Sequence, residues 1–176
     1  MNTLNKLFCI SLLGFALLLT SCGTTDNRLF AVERNEMYGF VNAKGDTVIN
    51  CKYNLCFTDT IERIGFVANE KGQIECFNNK AEFLFYVFNY DNGPDYPQEG
   101  YFRILDKNGL FGYADSLGNV VIKPQYRFAY PFEDGKAKVT NSGKKVKAGA
   151  GGDDHWTWAS DNWFFITPKG NKTTDK

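Results

Sequence analysis

The chain is predicted to be all-β, an array of short antiparallel hairpins. Three observations point there. Aromatic residues make up 16% of the 176 residues, and aromatics fit pleated, half-buried surfaces. Glycine occurs 17 times, as a fold with many tight turns requires. Two segments 73 residues apart repeat the same order of aromatic, glycine and β-branched residues. Beyond the N-terminal leader no segment sustains the 3.6-residue apolar stripe of a helix.

The elements follow in chain order. Lys6 is the only charge in residues 1–21, and an apolar run of about 13 residues extends from Leu7 to Leu19. That run is too short to cross a bilayer core of about 30 Å, and a positive start with a short apolar middle describes a secretory leader. Leu19-Thr20-Ser21-Cys22 follows directly and resembles the lipobox of bacterial lipoproteins. The resemblance implies cleavage before Cys22 and acyl chains on that residue. Residues 1–21 are then the signal peptide and the polar residues 22–28 a tether. Localisation would be the bacterial cell envelope, with the protein facing the periplasm or exposed at the surface.

Removing residues 1–21 leaves 19 basic and 20 acidic groups. That balance carries no basic stripe and argues against nucleic acid as a partner. Cys51, Cys56 and Cys76 remain beside the lipidated Cys22. Three thiols leave at least one unpaired within a monomer. Either Cys51 and Cys56, the nearest pair, form a disulfide, or all three are small buried apolar residues.

Residues 29–170 form the repeat domain, and residues 171–176 are a polar tail. Met37-Tyr38-Gly39-Phe40-Val41 and Leu110-Phe111-Gly112-Tyr113-Ala114 align, as do Lys44-Gly45-Asp46-Thr47-Val48-Ile49 and Leu117-Gly118-Asn119-Val120-Val121-Ile122. Tyr53 and Tyr126 close the two segments at the same offset. A spacing of 73 divides into two units of about 36. An eroded unit lies between them, with Cys76 where Gly39 stood and Phe83-Leu84-Phe85 near the place of Thr47-Val48-Ile49. A partial unit, Trp163 to Gly170, maps onto Tyr38 to Gly45.

The pattern of an aromatic-Gly-aromatic start, a polar turn closing on Gly, and an apolar strand ending in a Pro-x-Tyr step resembles the WG β-repeat. Phe111-Gly112-Tyr113 through Pro124-Gln125-Tyr126 follows it nearly throughout, with Tyr38 and Phe111 in place of the signature Trp. The resemblance implies about three complete units and a terminal fragment. Gly118 supplies the positive φ of a tight turn, and Pro124 ends its strand or sets it at a sheet edge. Glu82–Tyr90 is almost continuously apolar, and its Phe, Tyr and Val content favours strand. A single unit has too little core, so neighbours must stack, with Tyr38, Phe40, Phe111, Tyr113, Trp163 and Phe165 as the shared core.

Two insertions interrupt the array. The first, near 91–100, is rich in turn residues and predicts a surface loop. The second, near 144–162, opens on Lys144, Lys145 and Lys147, passes through Gly149-Ala150-Gly151-Gly152, and reaches His155, Trp156 and Trp158. The glycine run lacks the Gly-Lys-Ser/Thr ending of a phosphate loop. Insertions into repeats gather on a binding face, so His155, Trp156 and Trp158 are the candidate ligand-binding residues. The alternative is that Trp156 and Trp158 share one face of a hairpin strand and cap the array. His155 is the only histidine, which points away from a nucleophile triad. No metal and no cofactor are expected, and no carboxylate pair stands out. The expected function is non-enzymatic: a membrane-anchored binding or scaffold module with a protein partner. A glycan or cell-wall ligand held on exposed aromatics is the alternative, and an enzyme is a third class.

Overall fold

The structure is a computed structural model describing residues 26–147 and 156–174. The leader, Cys22 and His155 lie outside the described residues. All regular elements among the described residues are strands, paired antiparallel.

In chain order the strands begin with β1 (Leu29–Arg34), β2 (Met37–Val41), β3 (Thr47–Tyr53), β4 (Leu55–Cys56), β5 (Thr60–Ile61), β6 (Ile64–Ala68), β7 (Ile74–Asn78) and β8 (Phe83–Val87). They continue with β9 (Asn89–Tyr90), β10 (Gly93–Pro94), β11 (Tyr101–Leu105), β12 (Phe111–Asp115) and β13 (Val120–Tyr126). The last are β14 (Phe128–Glu133), β15 (Lys136–Thr140), β16 (Lys144–Lys147), β17 (Trp156–Ala159), β18 (Trp163–Ile166) and β19 (Lys172–Thr173). The central sheet has seven strands in the order β13-β12-β11-β8-β7-β6-β4. The N-terminal strands form a four-stranded sheet, β3-β2-β1-β5, interleaved with the central sheet through β4, and another, β14-β15-β18-β19, follows it.

One five-residue turn builds five of the hairpins. In Asn42–Asp46 the Asn42 Oδ1 accepts from the backbone N–H of Lys44 at 2.9 Å and of Asp46 at 3.0 Å, while the Gly45 N–H donates to the Asn42 carbonyl. Asn69, Asn78, Asp106 and Asp115 each repeat this pattern. An Asn or Asp side chain thus satisfies two turn donors that no ladder reaches. The fourth turn residue takes a left-handed φ, filled by glycine in four of these turns and by Ala81 in the fifth.

The 73-residue repeat is a repeat of geometry. Tyr38 pairs with Tyr53, Phe40 with Ile49 and Val41 with Thr47. Phe111 pairs with Tyr126, Tyr113 with Ile122 and Ala114 with Val120. Both pairings are irregular at the glycine, where β3 and β13 carry extra residues opposite it, and the two strands share one burial pattern. A Cβ on Gly39 would lie 2.7 Å from the Asn50 carbonyl carbon and the Cys51 nitrogen, and one on Gly112 2.6 Å from the Pro124 nitrogen. The bulged partner backbone therefore sits where a side chain would be. Pro124 stays inside β13, at the bulge and on the edge of the central sheet, where its missing N–H costs little. In the middle unit Cys76 pairs directly with Phe85, the irregularity falls between Cys76 and Phe77, and the cysteine side chain sits in the buried core.

The core runs through three consecutive clusters. Strand alternation sends Val67 and Phe77 toward the first four-stranded sheet, with Phe40, Ile49 and Tyr53. The neighbouring Ala68, Ile74 and Cys76 face the opposite side with Phe85, Phe102 and Ile104. In β12 the same rule splits Ala114 from Phe111 and Tyr113, which pack with Phe128, Phe132 and Val139 of the last sheet. Of the six repeat aromatics, Phe40, Phe111 and Tyr113 are buried, while Tyr38, Trp163 and Phe165 are half-buried. Among the described residues no cysteine pairs: Cys76 is buried with its thiol pushed up to about 12 by desolvation, and Cys51 and Cys56 are half-buried free thiols. Glu82–Tyr90 supplies β8 and β9. The strand β19 pairs with β18, inside the segment read as the polar tail.

Candidate binding site

The first insertion is not simply a surface loop. Asp91 and Asn92 have φ of 51° and 63°, the two left-handed residues of a tight hairpin turn, and Tyr90 pairs with Gly93 across it. The chain then turns inward, and Asp95 is only 5% exposed. The reason is Arg103 on β11. Its backbone N–H and its Nε both donate to Asp95 Oδ2 at 2.8 Å, its Nη2 donates to Asp95 Oδ1, and its Nη1 donates to the Ala129 carbonyl. Both ionic side chains are almost wholly buried, a placement that only such pairing sustains. The guanidinium lies 4.4 Å from the Phe88 ring centroid and 5.4 Å from that of Tyr90, within cation–π range.

The second insertion forms a hairpin from β16 and β17, with Lys145 opposite Trp158 and Lys147 opposite Trp156. Its base is held by hydroxyls: Thr140 Oγ1 lies 2.8 Å from Ser160 Oγ, and Ser142 Oγ lies 3.0 Å from the same atom. Trp156 and Trp158 stand two apart on one strand, so their rings share a face. Trp158 stacks on Phe128 at 5.3 Å with planes 9° apart and donates from Nε1 to the Ser142 carbonyl at 2.9 Å. Trp156 meets Phe88 and Phe128 edge-on, and Lys145 Nζ lies 4.2 Å from its ring centroid.

Between the two insertions lies a cleft of about 900 Å³. Phe88, Tyr90, Phe128, Tyr130, Trp156 and Trp158 supply its apolar walls, and Asn89, Asn92, Gln98, Arg103 and Lys145 its polar groups. Asp91 is the one carboxylate lining it among the described residues. Tyr90 is 55% and Tyr130 37% exposed. Tyr130 reaches the cleft because β14 is irregular between Ala129 and Phe132. The buried Tyr113 hydroxyl donates to the Tyr130 carbonyl at 2.6 Å and pins that irregularity. Desolvation holds the Tyr113 phenol well above its ordinary pKa, so it stays a donor.

The structure brings Trp156 and Trp158 of the sequence candidates to the cleft, and His155 lies outside the described residues. Sequence reasoning missed Tyr90, Tyr130 and Arg103. Tyr90 carries a usable signal, since it stands directly before the turn residues Asp91-Asn92-Gly93. No group of three His, Cys, Asp or Glu side chains able to hold a metal occurs among the described residues.

Comparison with known proteins adds one finding. No curated protein and no solved structure matches the chain. A family model described as the WG containing repeat matches residues 38–59 and 111–144. Those segments hold the two glycine-centred bulged hairpins and the start of the chain that follows each, and at both places the chain is similar to the WG containing repeat.

Proposed function

We propose that this protein is a non-enzymatic binding module of the bacterial cell envelope, held at a membrane by acyl chains on Cys22, and that its cleft takes a neutral glycan. The observation that carries the reading is the convergence of two insertions on exposed tyrosine rings beside amide side chains. A sugar offers a C–H face to such rings and hydroxyls to Asn89, Asn92 and Gln98. The Arg103 charge is answered by Asp95, so the site does not demand an anion.

A protein partner, which a repeat architecture alone favours, is the competing occupant. An extended peptide would add to the free edge of β14, and Pro131 in the middle of that strand has no N–H to give. Retention on glycan arrays and purified cell wall tests the choice. The parent should be retained and Tyr130→Ala lost, with its melting curve preserved. Retention on protein but not on any glycan sinks the reading.

Anchoring is tested separately. Each buried CH₂ contributes about 0.8 kcal/mol, so several chains hold firmly where one does not. Cys22→Ala should take up no labelled palmitate and move to the soluble fraction. A variant that stays on the membrane, beside a parent that takes up no label, refutes the anchor.

A further inference from the structure

We infer that the ligand is a chain of several sugar units bound across two adjoining subsites. This rests on the glycan reading above. A second depression of about 620 Å³ lies beside the cleft. Gln98, Tyr130 and Pro131 line both, so the two compartments meet around the Tyr130–Pro131 irregularity as one groove. Each has the size of a complete small-molecule site, about 300–1,000 Å³, and one sugar ring cannot fill both.

The second compartment repeats the chemistry of the first. Phe165 supplies a half-buried ring, with Lys136 Nζ 5.2 Å from its centroid. Lys138 lies along the Trp163 ring at 5.1 Å, and Trp163 in turn lies 5.4 Å from Tyr130. Rings therefore run from Tyr90 through Tyr130 to Phe165, the spaced platforms that a polymer of rings uses. Charge is balanced along the way. Lys136 and Lys138 share the second compartment with Glu133 and Asp134, Lys145 shares the first with Asp91, and Arg103 is already paired with the buried Asp95. A polyanion would gain nothing from such a lining, whereas an uncharged chain pays no repulsion.

The test is calorimetry on the full mature chain with β-1,4-linked glucose and N-acetylglucosamine oligomers of one to six units. Affinity should rise at least tenfold between the disaccharide and the pentasaccharide and then level off. Phe165→Ala, and independently the exposed Lys138→Ser, should flatten that rise and leave disaccharide affinity within twofold. Tyr130→Ala should weaken every length. Equal affinity for all lengths, or equal losses on short and long oligomers in both subsite variants, overturns the two-subsite inference and leaves the glycan reading standing. Binding of no oligomer at any length overturns both.

Discussion

Gly112→Ala isolates the reason the repeat carries its glycine. Gly112 does not adopt a positive φ, so backbone freedom is not the issue. An added Cβ would lie 2.6 Å from the Pro124 nitrogen and 2.9 Å from the Lys123 carbonyl carbon, and it would strike the Ile122 oxygen. These are backbone atoms of a paired strand and cannot swing aside. Overpacking of this kind costs about 1–3 kcal/mol, occasionally more. The smaller conformational freedom of alanine in the unfolded chain returns about 0.4–1 kcal/mol. A net loss of roughly 1–2 kcal/mol follows, which at about 1–3 kcal/mol per molar urea moves the unfolding midpoint down by roughly 0.5–1 M. Gly45→Ala is the comparison, since Gly45 has a φ of +85° with nothing within 4 Å of its would-be Cβ. It should cost about 1 kcal/mol of left-handed strain. Cys76→Gly, which installs the repeat glycine in the middle unit, should destabilise because it empties a fully buried site. Equilibrium urea unfolding of the three variants decides the matter. A Gly112→Ala midpoint equal to the parent's, or above that of Gly45→Ala, refutes the close-approach argument.

Three further outcomes follow from the same structure. Phe111→Ala should cost about 3–5 kcal/mol, read as a fall in Tm, because the ring is 5% exposed and lies against Phe88 and Phe128. Asp95→Asn should cost about 3–5 kcal/mol, since it leaves the Arg103 charge buried without its counterion, and a double-mutant cycle with Arg103 should return a large coupling. Partial burial would raise the Asp115 carboxyl, but its hydrogen bonds from Asn119, Leu117 and Gly118 outweigh that and hold it below the ordinary range. A depressed carboxyl stabilises the fold above the unfolded value of about 3.9 and stops doing so as pH falls through its folded value. Asp115→Asn should therefore match the parent's turn at neutral pH and show a shallower loss of stability below about pH 4, measured by urea midpoints across pH.

Much of the fold was legible because it is local and repeated. The spacing of Gly39 and Gly112 located two hairpins whose registers and burial agree, and Pro124 announced an edge. The half-burial of Tyr38, Trp163 and Phe165 was not legible. Their positions match Phe111 and Phe40 in pattern, yet Phe40 is fully buried on the same strand that leaves Tyr38 half-buried. Nor was the burial of Asp95. Asp91-Asn92-Gly93-Pro94-Asp95 has the composition of an exposed turn, and the force that draws it inward is a pairing with Arg103 eight residues on. Paired charges leave no trace in hydropathy.

The cleft was half legible for a related reason. Trp156 and Trp158 declare themselves by their two-residue spacing, but Tyr130 sits in Phe128-Ala129-Tyr130-Pro131-Phe132, which reads as core. Its exposure depends on a hydroxyl far away in sequence. Tyr113 occupies the place of Phe40 in the other repeat, and only Tyr113 can reach out to the Tyr130 carbonyl. Its counterpart region, β4, is two residues long with Leu55 52% exposed and borders neither insertion. One oxygen atom thus separates a repeat that only packs from one that also shapes a site. Tyr113→Phe removes that atom and nothing else. Leaving the Tyr130 carbonyl without its donor should cost about 1–3 kcal/mol while the ring still fills the core. If the hydroxyl fixes the irregularity that presents Tyr130, oligosaccharide affinity should fall several-fold at temperatures well below the melting transition. A variant that loses stability but binds the pentasaccharide as the parent does would show that the ring's placement is set by Pro131 and packing alone.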